Sequence, residues 1–266
     1  MSNVLAQRAE TLWGAGALIL LALFGVTLAI SFFDGRQLHG AGVWAKPMKF
    51  QLSLALHFAT LALLASALSA ASRDSAVLRW VALVSLAATA FEVAYIMIQA
   101  GRMQASHFNL ESAFHAAMYA GMAAGAVVIA VAAAIVGVAL LHDPAAALGP
   151  ATRLGAIIGL IGGTVLTLVI AFRMGGALTH HVGAEAAGAL RLPLTGWSLT
   201  VGDRRIPHFF ATHLMQAGPV AGLLADLTLP RLAAVAATVV VCAAWGATTL
   251  YLFHQANAGL PPFRWS

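Results

Sequence analysis

A short run of polar residues closes the third long apolar segment of the chain. These residues follow one another at spacings of three, four and three: Glu92, Tyr95, Gln99 and Arg102. Such spacings place them on one face of a helix, and a rise of about 1.5 Å per residue puts Glu92 roughly 13 Å below Gly101. A carboxylate at that membrane depth is protonated or pairs with a cation, a metal ion or a histidine. We predict catalytic roles for Glu92 and Arg102 and cofactor contacts for Gln99 and Arg102, with an ion pair between helices as the alternative for Glu92.

The second apolar segment carries polar residues at four-residue spacing. Lys49, Ser53 and His57 stack on one helical face that leads inward from Pro47, a residue suited to a first helical turn. His57 lies deep in the segment and is a predicted metal ligand. For Lys49 we predict contact with a cofactor, and the alternative is a lysine that extends to the lipid headgroups.

Another set of chemically active residues surrounds the start of the fourth segment. His107, Glu111 and His115 are each four residues apart, so a helix that begins slightly early would align all three. Imidazole and carboxylate at this spacing can share a metal, or Glu111 can orient His115. We predict His107 and His115 as metal ligands. The alternative is an ordinary helix cap with a solvated His107.

The sixth segment begins with two histidines. His213 and Gln216 lie about 60° apart on a helical wheel, and Pro219 removes a backbone hydrogen bond and kinks the helix below them. We predict His208 and His213 as metal ligands, with Gln216 and Arg205 in contact with a cofactor. Histidines at the membrane interface, open to water, are the alternative.

The predicted ligands exceed what one metal ion needs, so some must carry protons or orient their neighbours. They are His57, Glu92, His107, His115, His208 and His213. Neutral imidazole is a common metal ligand and the axial ligand of b-type haem. We therefore expect a metal ion or a b-type haem, the latter held between His57 and either His115 or His213. The chain has one cysteine, which excludes a disulfide within it and the paired-cysteine attachment of covalent haem.

One short motif resembles a known family. Ser53-x-x-x-His57 is similar to a motif of the seven-helix zinc hydrolases that include the alkaline ceramidases, and the resemblance covers five residues. It implies a helical bundle with a histidine-bound zinc. Those enzymes also share a C-terminal His-x-x-x-His pair, whereas His208 and His213 here are five apart. Rhodopsins are excluded, because both lysines lie at the start of the second segment.

The elements that must position these residues are long apolar helices. The chain is 61% hydrophobic and 9% charged, with a mean hydropathy of +0.89, too little charge for a water-facing surface. We predict an all-α integral membrane protein, a single seven-helix transmembrane domain over residues 1–266 with a covering loop at 175–206. The predicted spans are 11–33, 43–70, 76–100, 112–141, 152–174, 207–227 and 231–254.

Small residues in two of these segments predict close helix contacts. Gly155, Gly159 and Gly163 repeat at four-residue spacing, and so do Gly121 and Gly125. Such glycines let the backbones of neighbouring helices approach each other.

Polar residues are distributed unevenly among the predicted helices. Nine of the ten histidines lie in or above the half of the bundle that faces the longer connections, and His142 is the exception. The opposite half offers little beyond serine and threonine. We expect the bilayer and a small-molecule or quinone-like substrate as partners. The 14 basic and nine acidic residues give no reason to expect nucleic acid.

These patterns favour a metal- or haem-dependent oxidoreductase or electron carrier in a bacterial inner (cytoplasmic) membrane. The alternatives are a proton-coupled transporter with Glu92, His57 and His213 as a relay, a zinc-dependent membrane hydrolase, and an accessory or assembly subunit. Two observations argue against the transporter: the sequence shows no internal repeat, and one half of the helix bundle is poor in polar residues.

Overall fold

The computed structural model describes residues 7–38, 40–186 and 188–263. His39, one of the histidines counted above, lies outside these residues. The chain divides into two compact units, which we call the N-terminal unit, ending at Ala147, and the C-terminal unit, beginning at Leu148.

The N-terminal unit contains four long helices and one short one. Their bounds are α1 Ala9–Ser31, α2 Ala45–Ser66, α3 Ala70–Arg73, α4 Ala76–Gly101 and α5 Ala113–His142. Two short antiparallel strands, β1 Gln37–Leu38 and β2 Ala41–Gly42, lie in the connection between α1 and α2. The side chain of Ser112 accepts a hydrogen bond from the backbone N–H of His115, and this cap fixes where α5 begins.

Within the N-terminal unit, α1 packs on α2 and α4, and α2 and α4 both contact α5. Trp13, Phe58 and Leu61 are fully buried between the helices. The connections before α2 and before α5 meet at one end, where Arg36 donates a hydrogen bond to the carbonyl of Gly101 at 3.0 Å. We call this the loop end of the unit.

The C-terminal unit is built from three long helical elements. α6 Pro150–Ile157, a π-helical turn at Ile158–Gly162 and α7 Gly163–Ala177 form one continuous helix, and α8 Arg205–Thr228 and α9 Arg231–Asn257 complete the set. The connection from 178 to 204 contains the antiparallel strands β3 His181–Val182 and β4 Gly202–Asp203.

Glycines determine how α6 and α8 pack. A Cβ added to Gly155 would clash with the carbonyl oxygen of Gly218, and one added to Gly218 would clash with the carbonyl oxygen of Gly155. Gly222 meets the backbone of Ala151 in the same way. The close helix contact predicted from the glycine spacing is therefore confirmed for Gly155, and it is a contact between two main chains.

Six helices of the described residues are long and apolar enough to cross a membrane. They correspond to six of the seven predicted spans and make the chain an integral membrane protein of the all-α class. The seventh predicted span forms as α8, a helix of 24 residues, but it is not among the six. Its first half carries Arg205, His208, Thr212, His213 and Gln216, which lower its hydropathy.

Candidate functional site

One face of α4 is polar and buried along most of the helix. It carries five such residues, and all are at most 5% exposed: Ser85, Thr89, Glu92, Tyr95 and Gln99. The rise from Ser85 to Gln99 is about 21 Å, most of the thickness of a hydrocarbon core. The predicted helical face around Glu92 is confirmed. It also extends beyond Glu92 into the half that the sequence showed as poor in polar residues.

Glu92 is the centre of this face. Its side chain lies against the backbone of α5 at Gly125 and Ala126, and a Cβ on Gly125 would come within 3.1 Å of the carboxylate Oε1. That oxygen has no hydrogen-bond partner among the described residues, and neither have Thr89 Oγ1 and Tyr95 OH. Three buried polar atoms without partners on one helix face are unusual, since folded proteins satisfy most such groups.

Lys46 brings a positive charge to the same face from α2. Its ammonium lies 3.0 Å from His107 Nδ1 and 5.9 Å from the centre of the Phe50 ring, and it interacts electrostatically with Glu92. The sequence interpretation chose Lys49 instead, which is exposed. Both lysines lie within the first five residues of α2, so only the packing of the helix shows which one faces α4.

His107 is neutral in this environment. Burial, together with the charge of Lys46, lowers the pKa of its imidazole to about 3. Neutral imidazole has one acceptor nitrogen, and Nδ1 accepts here from Lys46 at 3.0 Å, with Ser106 Oγ at 3.3 Å from the same atom. His107 therefore holds the lysine ammonium at the loop end of α2.

Aromatic side chains surround the contact between Lys46 and His107. Phe50 lies 5.6 Å and Tyr119 6.3 Å from the His107 ring, measured between ring centres. Phe50 also packs against the buried cluster of Tyr95, Ile96 and Met122. These contacts bring α2, α4, α5 and the loop before α5 together at one place.

The alignment proposed for His107, Glu111 and His115 does not occur. Phe108 has a positive φ of 57° and α5 begins only at Ala113, so Glu111 lies outside the helix. His115 instead contacts Ser112, with its Nδ1 2.9 Å from Oγ. The reason is the cap at Ser112, which directly follows Glu111 and sets the start of α5 at Ala113.

His57 and His115 do not face each other as the axial ligands of one haem would. His57 Nε2 lies 3.2 Å from the carbonyl oxygen of Ile129. Ile129 follows His115 by about 21 Å along α5, so the two imidazoles lie at different membrane depths. Among residues 7–38, 40–186 and 188–263, no three side chains of histidine, cysteine, aspartate or glutamate form a group that could hold a metal ion.

The polar face of α4 continues toward the end opposite the loop end. Ser85 accepts a hydrogen bond from the indole of Trp13 at 3.1 Å, and Glu10 lies one turn before Trp13 in α1. Glu10 accepts from Arg73 at 2.6 Å, and its Oε2 has no partner in the described part of the chain. No spacing in the sequence predicts these contacts, because only tertiary packing brings α1 against α3 and α4.

The predicted site residues of α8 lie in the C-terminal unit. His208 and Gln216 are half-buried, and His208 Nδ1 has no hydrogen-bond partner among the described residues. His213 stacks on Phe209 at 4.0 Å, with its Nδ1 2.8 Å from the Phe209 carbonyl oxygen. In the described part of the chain, neither His208 nor His213 belongs to a group of three side chains that could hold a metal ion.

Arg205, a predicted cofactor contact, is held by Asp203. The guanidinium Nε donates to Asp203 Oδ1 at 2.9 Å, and the backbone N–H of Ser198 donates to Oδ2 at 2.9 Å. Burial by itself would raise the pKa of Asp203, but the hydrogen bonds from His181 and Arg205 and the charge of Arg205 lower it well below its usual range. The hydrogen bonds of Arg205 and Asp203 fold the 178–204 connection onto the start of α8.

Comparison of the chain with protein-family models, curated proteins and solved structures gives no match.

Proposed function

We propose that this protein carries protons across the membrane, with Glu92 as its intramembrane proton-binding group. The observation that supports this most strongly is the carboxylate oxygen Oε1, which is buried and has no hydrogen-bond partner among the described residues. Hydrogen bonds donated to a carboxylate stabilise its ionised form and so disfavour its protonation. An oxygen without a partner in the protein is available to a proton, a water molecule or a ligand.

The neighbours of Glu92 support a path in both directions. Toward the loop end, the face continues through Tyr95 to the Lys46–His107 contact. Toward the other end, it continues through Thr89 and Ser85. Side chains three or four residues apart on a helix are about 5–6 Å from one another, a gap that one water molecule can bridge.

The location of these groups removes one argument against transport. A transport path must reach both membrane surfaces, and the sequence offered few polar residues in the half beyond Glu92. The buried positions of Thr89 and Ser85, together with the indole of Trp13, supply polar atoms there. His57 lies on the same side of Glu92, because it contacts Ile129, one turn beyond Gly125 on α5.

Proton flux into reconstituted vesicles tests the proposal. The full-length protein is placed in liposomes that contain a pH-sensitive dye, and a potassium gradient with valinomycin drives protons inward. We expect faster acidification than in protein-free vesicles, and we expect Glu92→Gln to return the rate to that baseline. The matched control is Glu111→Gln, the same change at an exposed loop residue, which should keep the wild-type rate.

Two results would overturn the proposal: a wild-type rate equal to that of empty vesicles, or full flux through Glu92→Gln. Infrared spectra of the same two variants provide a second measurement. A carboxylic acid band that responds to pH in the wild type should be missing in Glu92→Gln and present in Glu111→Gln.

The metal- or haem-dependent oxidoreductase stays a prediction from the histidine content. An optical spectrum and metal analysis of the purified protein test it directly. A Soret band or stoichiometric iron, copper or zinc would favour that function over proton transport.

A further inference from the structure

The carboxylate of Glu10 in α1 is bonded at only one of its two oxygens among the described residues. The Nε and Nη2 groups of Arg73 both donate to Oε1, at 2.8 and 2.6 Å. In the bidentate geometry that arginine often adopts, each oxygen accepts from one donor. Here Oε2 is buried without a partner in the described part of the chain, and the whole Glu10 side chain is 10% exposed. Oε2 is therefore available to accept a proton or a hydrogen bond from water.

A buried donor that has no partner among the described residues lies at the same height. It is the Nε of Arg79, the fourth residue of α4. α1 and α4 both end at the loop end, so they run in the same direction, and Gly16 lies against the side chain of Leu86. Seven residues are about two helical turns, so a step of seven back from this contact places Arg79 opposite the first turn of α1, where Glu10 lies. A water molecule that bridges Arg79 and Glu10 would satisfy both groups.

Polar side chains connect this place with Glu92. Trp13 lies one turn after Glu10 in α1 and donates to Ser85 at 3.1 Å, and Ser85 begins the polar face that leads through Thr89 to Glu92. The rise is about 4.5 Å from Glu10 to Trp13 and about 10.5 Å from Ser85 to Glu92. Glu10 and Glu92 are therefore roughly 15 Å apart along the helices. Hydrogen-bonded oxygens lie about 2.8 Å apart, so hydroxyl groups and a few water molecules are enough to span this distance.

We propose that Glu10 exchanges the proton of Glu92 with water at the end of the unit opposite the loop end. This inference rests on the proposed function, because it needs a proton at Glu92. For a proton that leaves, the O–H bond of the Glu92 carboxylic acid breaks and its electron pair stays on the oxygen. Hydroxyl groups and water pass a proton along until an O–H bond forms at Oε2 of Glu10. Water then takes this proton, and Glu10 returns to the carboxylate that pairs with Arg73. A proton that enters follows the same steps in reverse.

Proton flux through full-length variants at Glu10 tests the inference, in the same vesicles with a potassium gradient and valinomycin. We expect Glu10→Gln to lower the rate by roughly tenfold or more, because a positioned proton-transfer group contributes on the order of 100-fold. Glu10→Asp keeps a carboxylate at the same place and should stay within about threefold of the wild-type rate.

The ion pair with Arg73 supplies a matched control. Glu10→Gln and Arg73→Gln remove the same ion pair and should lower the melting temperature in detergent by similar amounts, but only Glu10→Gln removes the carboxylate. Arg73→Gln should therefore keep the flux within about threefold of wild type. A second control is Asp74→Asn, which removes the acid of the neighbouring Arg8–Asp74 pair and should leave the rate unchanged.

An undiminished rate in Glu10→Gln, or an equal loss of flux in Glu10→Gln and Arg73→Gln, would overturn the inference, since Glu10 then serves only to hold α3 against α1. Failure of the proposed function gives a different pattern, in which the wild type itself has no flux above that of empty vesicles. Full flux through Glu10→Gln together with none through Glu92→Gln overturns the role of Glu10 alone. The infrared carboxylic acid band of Glu92 should persist in Glu10→Gln. Its loss would place the effect of Glu10 on the Glu92 site itself and overturn the assigned exchange role.

Discussion

Two carboxyl groups of nearly equal burial, one in each unit, differ in what surrounds them. Glu92 is 2% exposed and Asp203 is 1% exposed. Asp203 accepts hydrogen bonds from Arg205 and from the backbone of Ser198, whereas Glu92 has an oxygen without a partner among the described residues. Burial of an acid therefore does not by itself indicate a functional site. Both oxygens of Asp203 accept hydrogen bonds, whereas Oε1 of Glu92 has no partner in the described part of the chain.

Two glycines show the same difference between the units. Gly155 lies against the backbone of Gly218, so its lack of a side chain serves helix packing. Gly125 lies against the carboxylate of Glu92, so its lack of a side chain makes room for a polar group. The spacing of the glycines is similar in both helices. Only the group that each glycine contacts in the folded chain shows what the missing side chain makes room for.

The largest expected effect on stability is at Asp203. Asp203→Asn removes the charge that holds Arg205 and should lower the free energy of unfolding by about 3 kcal/mol. Glu92→Gln, the same change in charge at equal burial, should leave stability within about 0.5 kcal/mol of wild type or raise it, because no ion-pair hydrogen bond is lost. Thermal unfolding in detergent measures both. Equal destabilisation by the two variants would contradict the comparison.

The next effect concerns the glycines. Gly155→Ala forces two main chains apart and should destabilise the protein by about 2 kcal/mol. In Gly125→Ala the new methyl meets a side chain at 3.1 Å, which can shift, so stability should change less while proton flux falls. Melting temperatures and the vesicle assay separate these outcomes. A normal melting temperature for Gly155→Ala would show that the contact between α6 and α8 can relax.

The smallest effect is a pH dependence from His107. Its folded pKa of about 3 is below the value of about 6.5 in an unfolded chain, so the unfolded state binds the extra proton between these values. This contribution to stability is complete above about pH 6.5 and is lost as pH falls toward 3. His107→Asn should therefore flatten the fall in melting temperature between pH 7 and pH 5. His115→Asn, beside Ser112 at the start of α5, serves as the control, and an equal slope in wild type and His107→Asn would contradict the assignment.

Much of the helical architecture could be predicted because its signals are local. Apolar runs about as long as a bilayer is thick predicted the helices, and the spacing of Glu92, Tyr95 and Gln99 predicted a shared face that the structure confirms. The glycine spacing predicted close packing near Gly155 for the same reason, since a repeat of four residues is a property of one helix.

The predictions that were wrong concern contacts between segments that lie far apart along the chain. His107 and Lys46 are far apart in sequence, and their contact replaces the predicted alignment of His107 with Glu111 and His115. His57 lies beside Ile129 of α5, and His115 lies far from it at the start of the same helix. Residue type and spacing do not encode these relations, because they arise from the rotation and relative height of packed helices.

The sequence by itself determined that the chain lies in a membrane, where most of its helices run and how deep Glu92 lies in its helix. Hydropathy and helical period are local properties. The tertiary structure alone decided which polar groups have partners. It satisfied Asp203 and left Oε1 of Glu92 without a partner among the described residues. The physical reason is that a hydrogen bond joins atoms within about 3 Å, and which atoms come that close is set by the packing of helices that lie apart along the chain.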